Sequence, residues 1–155
     1  PESFDVAADL IDLGGRQQEI IRHVYKTKHL NSLKLWGRIL SKIQVNEDLR
    51  YLWSSATLTD FQQTGTNSSD KGDIIDDLLS NAQEADVVLL LEEKTDGSLH
   101  GSLRSTDEAV DISSIAQQFS GGGHAMASGF TIQNATVESH KNKFYKQYNL
   151  FKRHA

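Results

Sequence analysis

The chain has 155 residues, which suits one compact domain with a helical extension. It contains no cysteine, which excludes disulfides and thiolate metal sites, and it has no apolar run near the ~20 residues of a membrane-spanning helix. The net charge of -5 excludes strong long-range attraction to duplex DNA, so any contact with nucleic acid must be local.

These features predict a cytoplasmic protein that does not contact a membrane, because nothing in the chain points to an oxidising compartment. The first residues, PESFDVAADL, lack the basic start and apolar stretch of a signal peptide.

Residues 4–43 are predicted to be helical, because their apolar residues recur at helical spacing. Gly14-Gly15 divides this stretch into separate helices. In the clearest helix, residues 31–43, Asn31 is expected to cap the N-terminus. One apolar stripe should pack on the core, formed by Leu33, Trp36, Leu40 and Ile43 and widened by Leu35 and Ile39.

The middle of the chain alternates between strand and helix signals. Residues 49–57, LRYLWSSAT, predict a strand, and Thr59 is expected to cap a short helical turn. A polar loop at residues 64–73 follows. Asp73 is then predicted to cap a further helix, which carries Ile74, Ile75, Leu78 and Leu79.

Residues 86–93, DVVLLLEE, are apolar on both alternating faces and predict a central strand covered on both sides. Only a layered α/β fold supplies that cover. Asp96-Gly97 is a hairpin signal, so residues 98–105 should form an antiparallel partner strand. One face of that partner is polar and carries His100, Ser102 and Arg104.

The last third of the chain predicts a helix capped by Asp111, a strand at residues 129–133 and a closing helix at residues 136–153. Together the elements predict an α/β domain, in which a mixed β-sheet is flanked by helices and preceded by linker helices.

The segment 120–129, SGGGHAMASG, carries the clearest chemical signal. Three successive glycines, Gly121 to Gly123, are costly in conformational entropy. The cost is explained if their backbone approaches a ligand and converging N–H groups bind an anion, with His124 donating to a phosphate oxygen. Arg104 offers a planar set of donors suited to the same ligand. The alternative is a flexible helix end followed by a surface histidine.

Three motifs, GSLRS at residues 101–105, VDISSIAQQF at 110–119 and SGGGHAMASGF at 120–130, resemble the DHH-associated domain of DHH-family phosphoesterases. With the lead-in SLKLWGRIL at residues 32–40, the chain is most similar to NrnA-type oligoribonucleases, which degrade very short RNA and dephosphorylate phosphoadenosine phosphate. The ending HAMASG is also similar to RecJ-type single-strand exonucleases. The family usually has four consecutive glycines or Phe-Gly-Gly-Gly before the histidine, whereas Ser120 occupies the first of these positions here. A positive φ is less favourable for serine than for glycine.

The resemblance implies a division of the chain into a helical linker, residues 1–45, and a DHH-associated substrate-binding domain, residues 46–155. The linker would join a missing N-terminal catalytic DHH domain. No Asp-His-His motif occurs here, so no catalytic residue and no cofactor is expected in this chain, and manganese is expected in the missing domain. The residues implied to bind the phosphate and terminal base of the substrate are Arg104, Ser105, Gly121, Gly122, Gly123 and His124.

The expected partners are short single-stranded RNA or nucleotide phosphates, together with the missing DHH domain. The resemblance also allows a homodimer of the full-length protein. Three other functions stay open: a RecJ-like exonuclease, a fragment of a cyclic dinucleotide phosphodiesterase, and a non-catalytic RNA-binding module like those appended to alanyl-tRNA synthetases.

Overall fold

A computed structural model of the chain describes residues 2–25, 28–72, 74–77 and 79–154. The chain divides into two compact units, Pro1–Leu30 and Asn31–Ala155. The first unit contains α1 (Glu2–Asp12) and α2 (Gln17–Tyr25). Gly14, at φ 92°, lies between the two helices, which confirms the predicted break.

The second unit is built on a six-stranded mixed sheet, as the described residues show it, in the order β1-β2-β3-β4-β6-β5. β2 and β3 are parallel, and each remaining neighbouring pair is antiparallel. The strands are β1 (Gln44–Asn46), β2 (Tyr51–Ala56), β3 (Val87–Glu93), β4 (Leu99–Ser105), β5 (Gly122–His124) and β6 (Ala127–Ile132).

Helices cover the sheet on both sides. One core cluster joins one face of β2 and β3 to α3 (Leu30–Leu40), α4 (Leu58–Thr64) and α5 (Ile74–Asp77). The other joins the opposite face to α6 (Ile112–Gln117) and α7 (Val137–His154). Short 3₁₀ turns lie at Ser68–Lys71 and Leu79–Asn81. The predicted α/β class, with a mixed sheet flanked by helices, is therefore confirmed.

β3 is buried on both faces, as its apolar sequence predicted. Val87, Leu89 and Leu91 belong to the cluster with α6 and α7. Val88 and Leu90 belong to the cluster with α3 and α4. This alternation is the period-2 geometry of a strand in a three-layer fold.

The predicted stripe of α3 is partly wrong. The helix begins at Leu30, so Asn31 lies inside it and does not cap its start. Leu33 is 49% exposed, whereas Leu35 and Ile39 are fully buried beside Trp36. Apolar residues occupy more than one face of this helix, and packing on the sheet selects the face that contains Leu35.

α4 starts two residues earlier than predicted, because Thr57 and not Thr59 is its N-cap. The Thr57 hydroxyl accepts from the backbone N–H of Asp60, and the Asp60 carboxylate accepts from the backbone N–H of Thr57, which is a capping box. Asp111 caps α6 as predicted, accepting from the N–H of Ser113 at 2.9 Å. The predicted cap Asp73 and the helix residue Leu78 lie outside the described residues.

One carboxylate contacts the start of a helix on each side of the sheet. Glu93, at the end of β3, accepts from the backbone N–H of Leu58 in α4 through Oε2 and from that of Val137 in α7 through Oε1, both at 3.1 Å. A negative charge is favourable at each helix N-terminus, where backbone N–H groups lack partners. Glu93 therefore ties both helical layers to the same strand end.

Within the described parts of the chain, no helix is long and apolar enough to cross a membrane. The cytoplasmic location stays a prediction, as does the division into a linker at residues 1–45 and a substrate-binding domain at residues 46–155.

Candidate functional site

Arg104 and His124, the two most informative polar residues of the sequence, lie in one cross-strand row. Arg104 on β4 pairs with Ala127 on β6, and Ala127 pairs with His124 on β5. Paired residues of neighbouring strands project from the same face of a sheet. The two side chains therefore share a face, with backbone positions roughly 10 Å apart, which is twice the strand spacing.

The face around this row is open to solvent. The parallel row Ser102–Gly129–Gly122 and the pair His100–Thr131 lie beside it on the same face. These positions are half-buried or exposed, in contrast to the buried Val88 and Leu90 on the same face of β3. We call this surface the open face, formed by His100, Ser102, Arg104, Gly122, His124, Ala127, Gly129 and Thr131.

Arg104 is held at the border of the open face by Asp76 of α5. Its Nε donates to Asp76 Oδ1 at 2.6 Å, and Nη2 donates to Oδ2 at 3.0 Å. Nη1 donates to the carbonyl of Leu103 at 2.9 Å. Because a guanidinium has five N–H donors, two N–H groups have no partner among the described residues. An anion can also displace the exposed Asp76 carboxylate.

Part of the glycine-rich segment is a strand at one edge of the sheet, which the sequence pattern did not predict. Gly122 to His124 form β5, which pairs with β6 through a tight turn at Ala125 and Met126. β5 has only three residues, two of them glycine, so its sequence cannot show the alternation of side chains that predicts a strand. β5 is the last strand in the sheet order, so backbone groups on its outer side have no strand partner among the described residues.

The three glycines have different roles. The N–H of Gly121 donates to Ala116 at 2.9 Å and closes α6, and a Cβ there would lie 2.2 Å from the carbonyl oxygen of Gly129. Gly123 has φ 142°, and a Cβ would lie 2.6 Å from the Ala127 oxygen. At Gly122 a Cβ would meet nothing within 4 Å. Gly121 and Gly123 are therefore required by packing and backbone conformation, and Gly122 is the one that faces open space.

Ser120 has φ 58°, so its backbone is left-handed, a conformation that favours glycine. Its N–H donates to Gln117 at 3.0 Å at the end of α6. A serine in this conformation costs about 1–2 kcal/mol, which glycine avoids.

Ser105 lies on the opposite face from Arg104 and is buried. Its hydroxyl donates to the carbonyl of Asp107 at 2.8 Å, and its backbone N–H donates to that of Met126 at 3.0 Å. The structure thus brings Arg104 and His124 together and gives the Ser105 side chain a structural contact. The role of Ser105 in substrate binding stays a prediction.

His100 is a candidate that the sequence placed on the polar stripe but did not assign to binding. Its Nδ1 lies 3.1 Å from the Thr131 hydroxyl on the open face. Burial, followed by the nearby charge of Lys94, lowers the pKa of His100. The lowered pKa favours the neutral ring, which can accept as well as donate a hydrogen bond.

Glu92, the cross-strand partner of His100, is a buried carboxylate between two lysines. Lys94 Nζ lies 2.8 Å and Lys71 Nζ 3.2 Å from its oxygens, and the Ser68 hydroxyl donates to it. Burial alone would raise the pKa of Glu92, but the hydrogen bonds from Lys94 and Ser68 and the lysine charges outweigh it and lower the pKa. This ionised group anchors Lys94 beside the open face.

A resident metal does not fit this chain, as far as the structure describes it. No group of three or more His, Asp or Glu side chains in the described ranges is arranged to hold a metal ion. The expected manganese in a separate domain is not tested by this finding.

The domain is thus an α/β sheet with one half of a face uncovered, and Arg104 and His124 lie in one row on that half. Residues 51–152 match the DHHA1 domain model. The match covers more than half of the chain, which belongs to the DHHA1 family, the domain associated with DHH-family phosphoesterases.

Two solved structures share this fold. An exopolyphosphatase-related protein from Bacteroides fragilis has a TM-score of 0.81 and 24% identity over 97% of this chain and 45% of its own. The pGpG-specific phosphodiesterase PggH from Vibrio cholerae has a TM-score of 0.61 and 12% identity over 95% of this chain and 51% of its own. The chain thus spans about half the length of these proteins.

Proposed function

We propose that this chain is the substrate-binding domain of a metal-dependent phosphoesterase and that it holds the phosphorylated end of a short oligonucleotide or a nucleotide phosphate. The observation that carries the proposal is the row Arg104–Ala127–His124 on the open face. It places a guanidinium and an imidazole on one solvent-accessible surface, with only small side chains between them.

The chemistry of the row suits a phosphate next to a base. The free N–H groups of Arg104 can bind two phosphate oxygens, and the exposed His124 can donate a further hydrogen bond. Ala127 and Gly122 have little or no side chain, so a planar base can lie flat on the strands between the two polar groups. The overall negative charge of the chain does not oppose this binding, because the contact is short-range.

Bond cleavage in this proposal belongs to a separate domain, with manganese as the expected metal. The share of the two solved structures that the chain spans leaves room for such a domain. The residues of this chain orient the substrate end, which lowers the entropic barrier of a reaction catalysed elsewhere.

Short RNA of the kind degraded by NrnA-type oligoribonucleases is the leading substrate, with phosphoadenosine phosphate as a second one. The fold shared with a phosphodiesterase named for pGpG supports linear dinucleotides as probes. A RecJ-like exonuclease, a cyclic dinucleotide phosphodiesterase and a non-catalytic RNA-binding module are the alternatives to be separated.

The test is an NMR titration of the 155-residue chain with 5′-phosphorylated diadenylate. We expect shifts at the amides of Gly122, Gly123 and His124. Arg104→Ala and His124→Ala should each weaken binding about 10-fold or more, because each removes a charge-assisted or polar contact to phosphate. His140→Ala is the matched control and should leave the affinity unchanged, since His140 belongs to α7, which packs on the other side of the sheet from the open face.

The proposal is wrong if both open-face variants bind like the unaltered chain, or if millimolar ligand shifts none of these amides. Competition then identifies the substrate class. Displacement of diadenylate by pGpG but not by a cyclic dinucleotide supports a linear substrate. Stronger displacement by a cyclic dinucleotide supports the cyclic alternative, and protection spread along a folded RNA stem supports the RNA-binding module.

A further inference from the structure

A cavity lies on the other side of the sheet from the open face. It is a groove of about 520 Å³ between the β1–β2 edge and α7. Tyr51 and Trp53 of β2 pair with Val87 and Leu89 of β3, so all four lie on the face that packs against α6 and α7. Arg104 pairs with Val88 and therefore lies on the opposite face. We call this cavity the edge groove, lined by Gln44, Asn46, Trp53, Lys141, Asn142 and Tyr145.

Two aromatic side chains line the edge groove without stacking on another ring. Trp53 is half-buried, and Tyr145 is 38% exposed. Neither ring pairs with another aromatic ring in the described part of the chain, whereas Tyr51, Phe144 and Tyr148 stack on one another in the adjacent core. Two unstacked rings beside one cavity of this size are suited to a planar ligand.

The polar groups of the edge groove are amides and one ammonium. The side chains of Gln44 and Asn142 make no hydrogen bond among the described residues, and Asn46 uses only its carbonyl oxygen, which accepts from Leu49. An amide presents a donor beside an acceptor, which matches the N6 and N7 edge of adenine. Lys141 lines the cavity, and its Nζ lies 2.8 Å from Oε1 of the exposed Glu138.

One residue that lines the edge groove, Tyr51, also contains a buried polar atom without a partner among the described residues. This atom is the oxygen of its hydroxyl group. Such a group costs free energy unless a water or ligand atom satisfies it.

We propose that the edge groove is a binding site for an adenine nucleotide, separate from the site on the open face. The adenine ring packs against Trp53 and Tyr145, the amides bind its polar edge, and Lys141 contacts the phosphate. A mononucleotide fits the cavity volume. A long polyanion would be repelled by the net negative charge of the chain. This proposal does not depend on the function assigned to the open face.

The test is a titration of the 155-residue chain with AMP, following the indole N–H signals of its two tryptophans by NMR. Trp53 should shift. Trp36 is an internal reference, because it packs on the other side of the sheet and its Nε1 donates to the Lys71 carbonyl. GMP and UMP should bind more weakly than AMP, since the amides match the adenine edge.

Variants separate the contacts. Tyr145→Ala should weaken AMP binding about 5- to 100-fold through the loss of stacking, and Tyr145→Phe should retain it. Lys141→Ala should weaken binding of AMP but not of adenosine, and Lys146→Ala, an exposed lysine of the same helix outside the groove, should change neither.

Arg104→Ala should leave the Trp53 shift intact, which distinguishes failure of this site from failure of the open face. The proposal is overturned if millimolar AMP leaves the Trp53 signal in place. It is also overturned if Tyr145→Ala binds AMP normally, or if AMP shifts only the Gly122 and His124 amides.

Discussion

The two halves of one sheet face differ sharply. On β2 and β3 the face carries buried apolar residues such as Val88 and Leu90 beneath α3 to α5. The same rows continue across β4, β6 and β5 as Arg104 and Ser102, without such a cover. The backbone ladder is continuous, and only the side chains change at the step from β3 to β4. One half of the face is therefore closed by the hydrophobic core, and the other half stays accessible, as the proposed binding function requires.

The largest expected effect comes from comparing Leu90 on β3 with Ser102, its cross-strand partner on β4. Leu90→Ala should lower the free energy of unfolding by about 2–5 kcal/mol, because it leaves a cavity in the core. Ser102→Ala should change it by less than about 0.5 kcal/mol, as expected of a half-exposed side chain. Urea unfolding measures both, and equal losses would contradict the division into a stabilising half and a binding half.

A second pair tests β5, where stability and binding meet. Gly123→Ala should destabilise the chain by about 2–4 kcal/mol, because it combines a strained positive φ with close contact to Ala127. Gly122→Ala should leave unfolding nearly unchanged and weaken ligand binding, since its methyl group enters only the open face. Thermal unfolding and the diadenylate titration together distinguish these effects. Unchanged binding by Gly122→Ala would place the ligand elsewhere.

The helices over the covered half predict a pH dependence through Asp60. Burial alone would raise the pKa of this carboxyl, but hydrogen bonds from Lys42, Thr57 and Arg38 outweigh it and lower the pKa from 3.8 to about 2. Since the folded pKa lies below the unfolded one, the contribution is present above pH 4 and is lost as the pH falls from about 4 to 2. It amounts to about 2 kcal/mol. Between pH 4 and 2 the free energy of unfolding should therefore fall by about 2 kcal/mol less for Asp60→Asn than for the unaltered chain, as measured by urea unfolding at each pH.

The smallest effect concerns Asp76, at the border between the halves. Asp76→Asn should strengthen diadenylate binding by up to about 5-fold, because it frees Arg104 from a competing carboxylate. The exposed Glu84→Gln is the matched control and should have no effect. Combining Asp76→Asn with Arg104→Ala tests the coupling: if Asp76→Asn still strengthens binding without Arg104, competition for the guanidinium is not the cause.

Much of the sheet could be predicted because its strands carry period-specific patterns. The continuous apolar run of β3, the Asp96-Gly97 turn and the alternation along β4 each specify local geometry, and the structure contains them. The polar stripe with Arg104 likewise specified which side of β4 faces the open surface. These signals are short in sequence and need no knowledge of distant contacts.

Other features depended on contacts that local patterns do not contain. The burial of Leu35 in place of Leu33 is decided by packing on β2 and β3. β5 has too few side chains to show alternation. The N-cap at Thr57 did have a signal, the acidic Asp60 three residues later, and the prediction of Thr59 overlooked it. The edge groove combines segments nearly 100 residues apart, without a motif in either.

The position of Glu93 bears on how the second unit opens. Its two oxygens are hydrogen-bonded to the first residues of α4 and α7, so fraying of either helix removes a bond from the same carboxylate. Local opening on one side of the sheet should then loosen the helix start on the other side. The two layers are expected to exchange amide hydrogens as one cooperative unit, although they share no hydrophobic cluster.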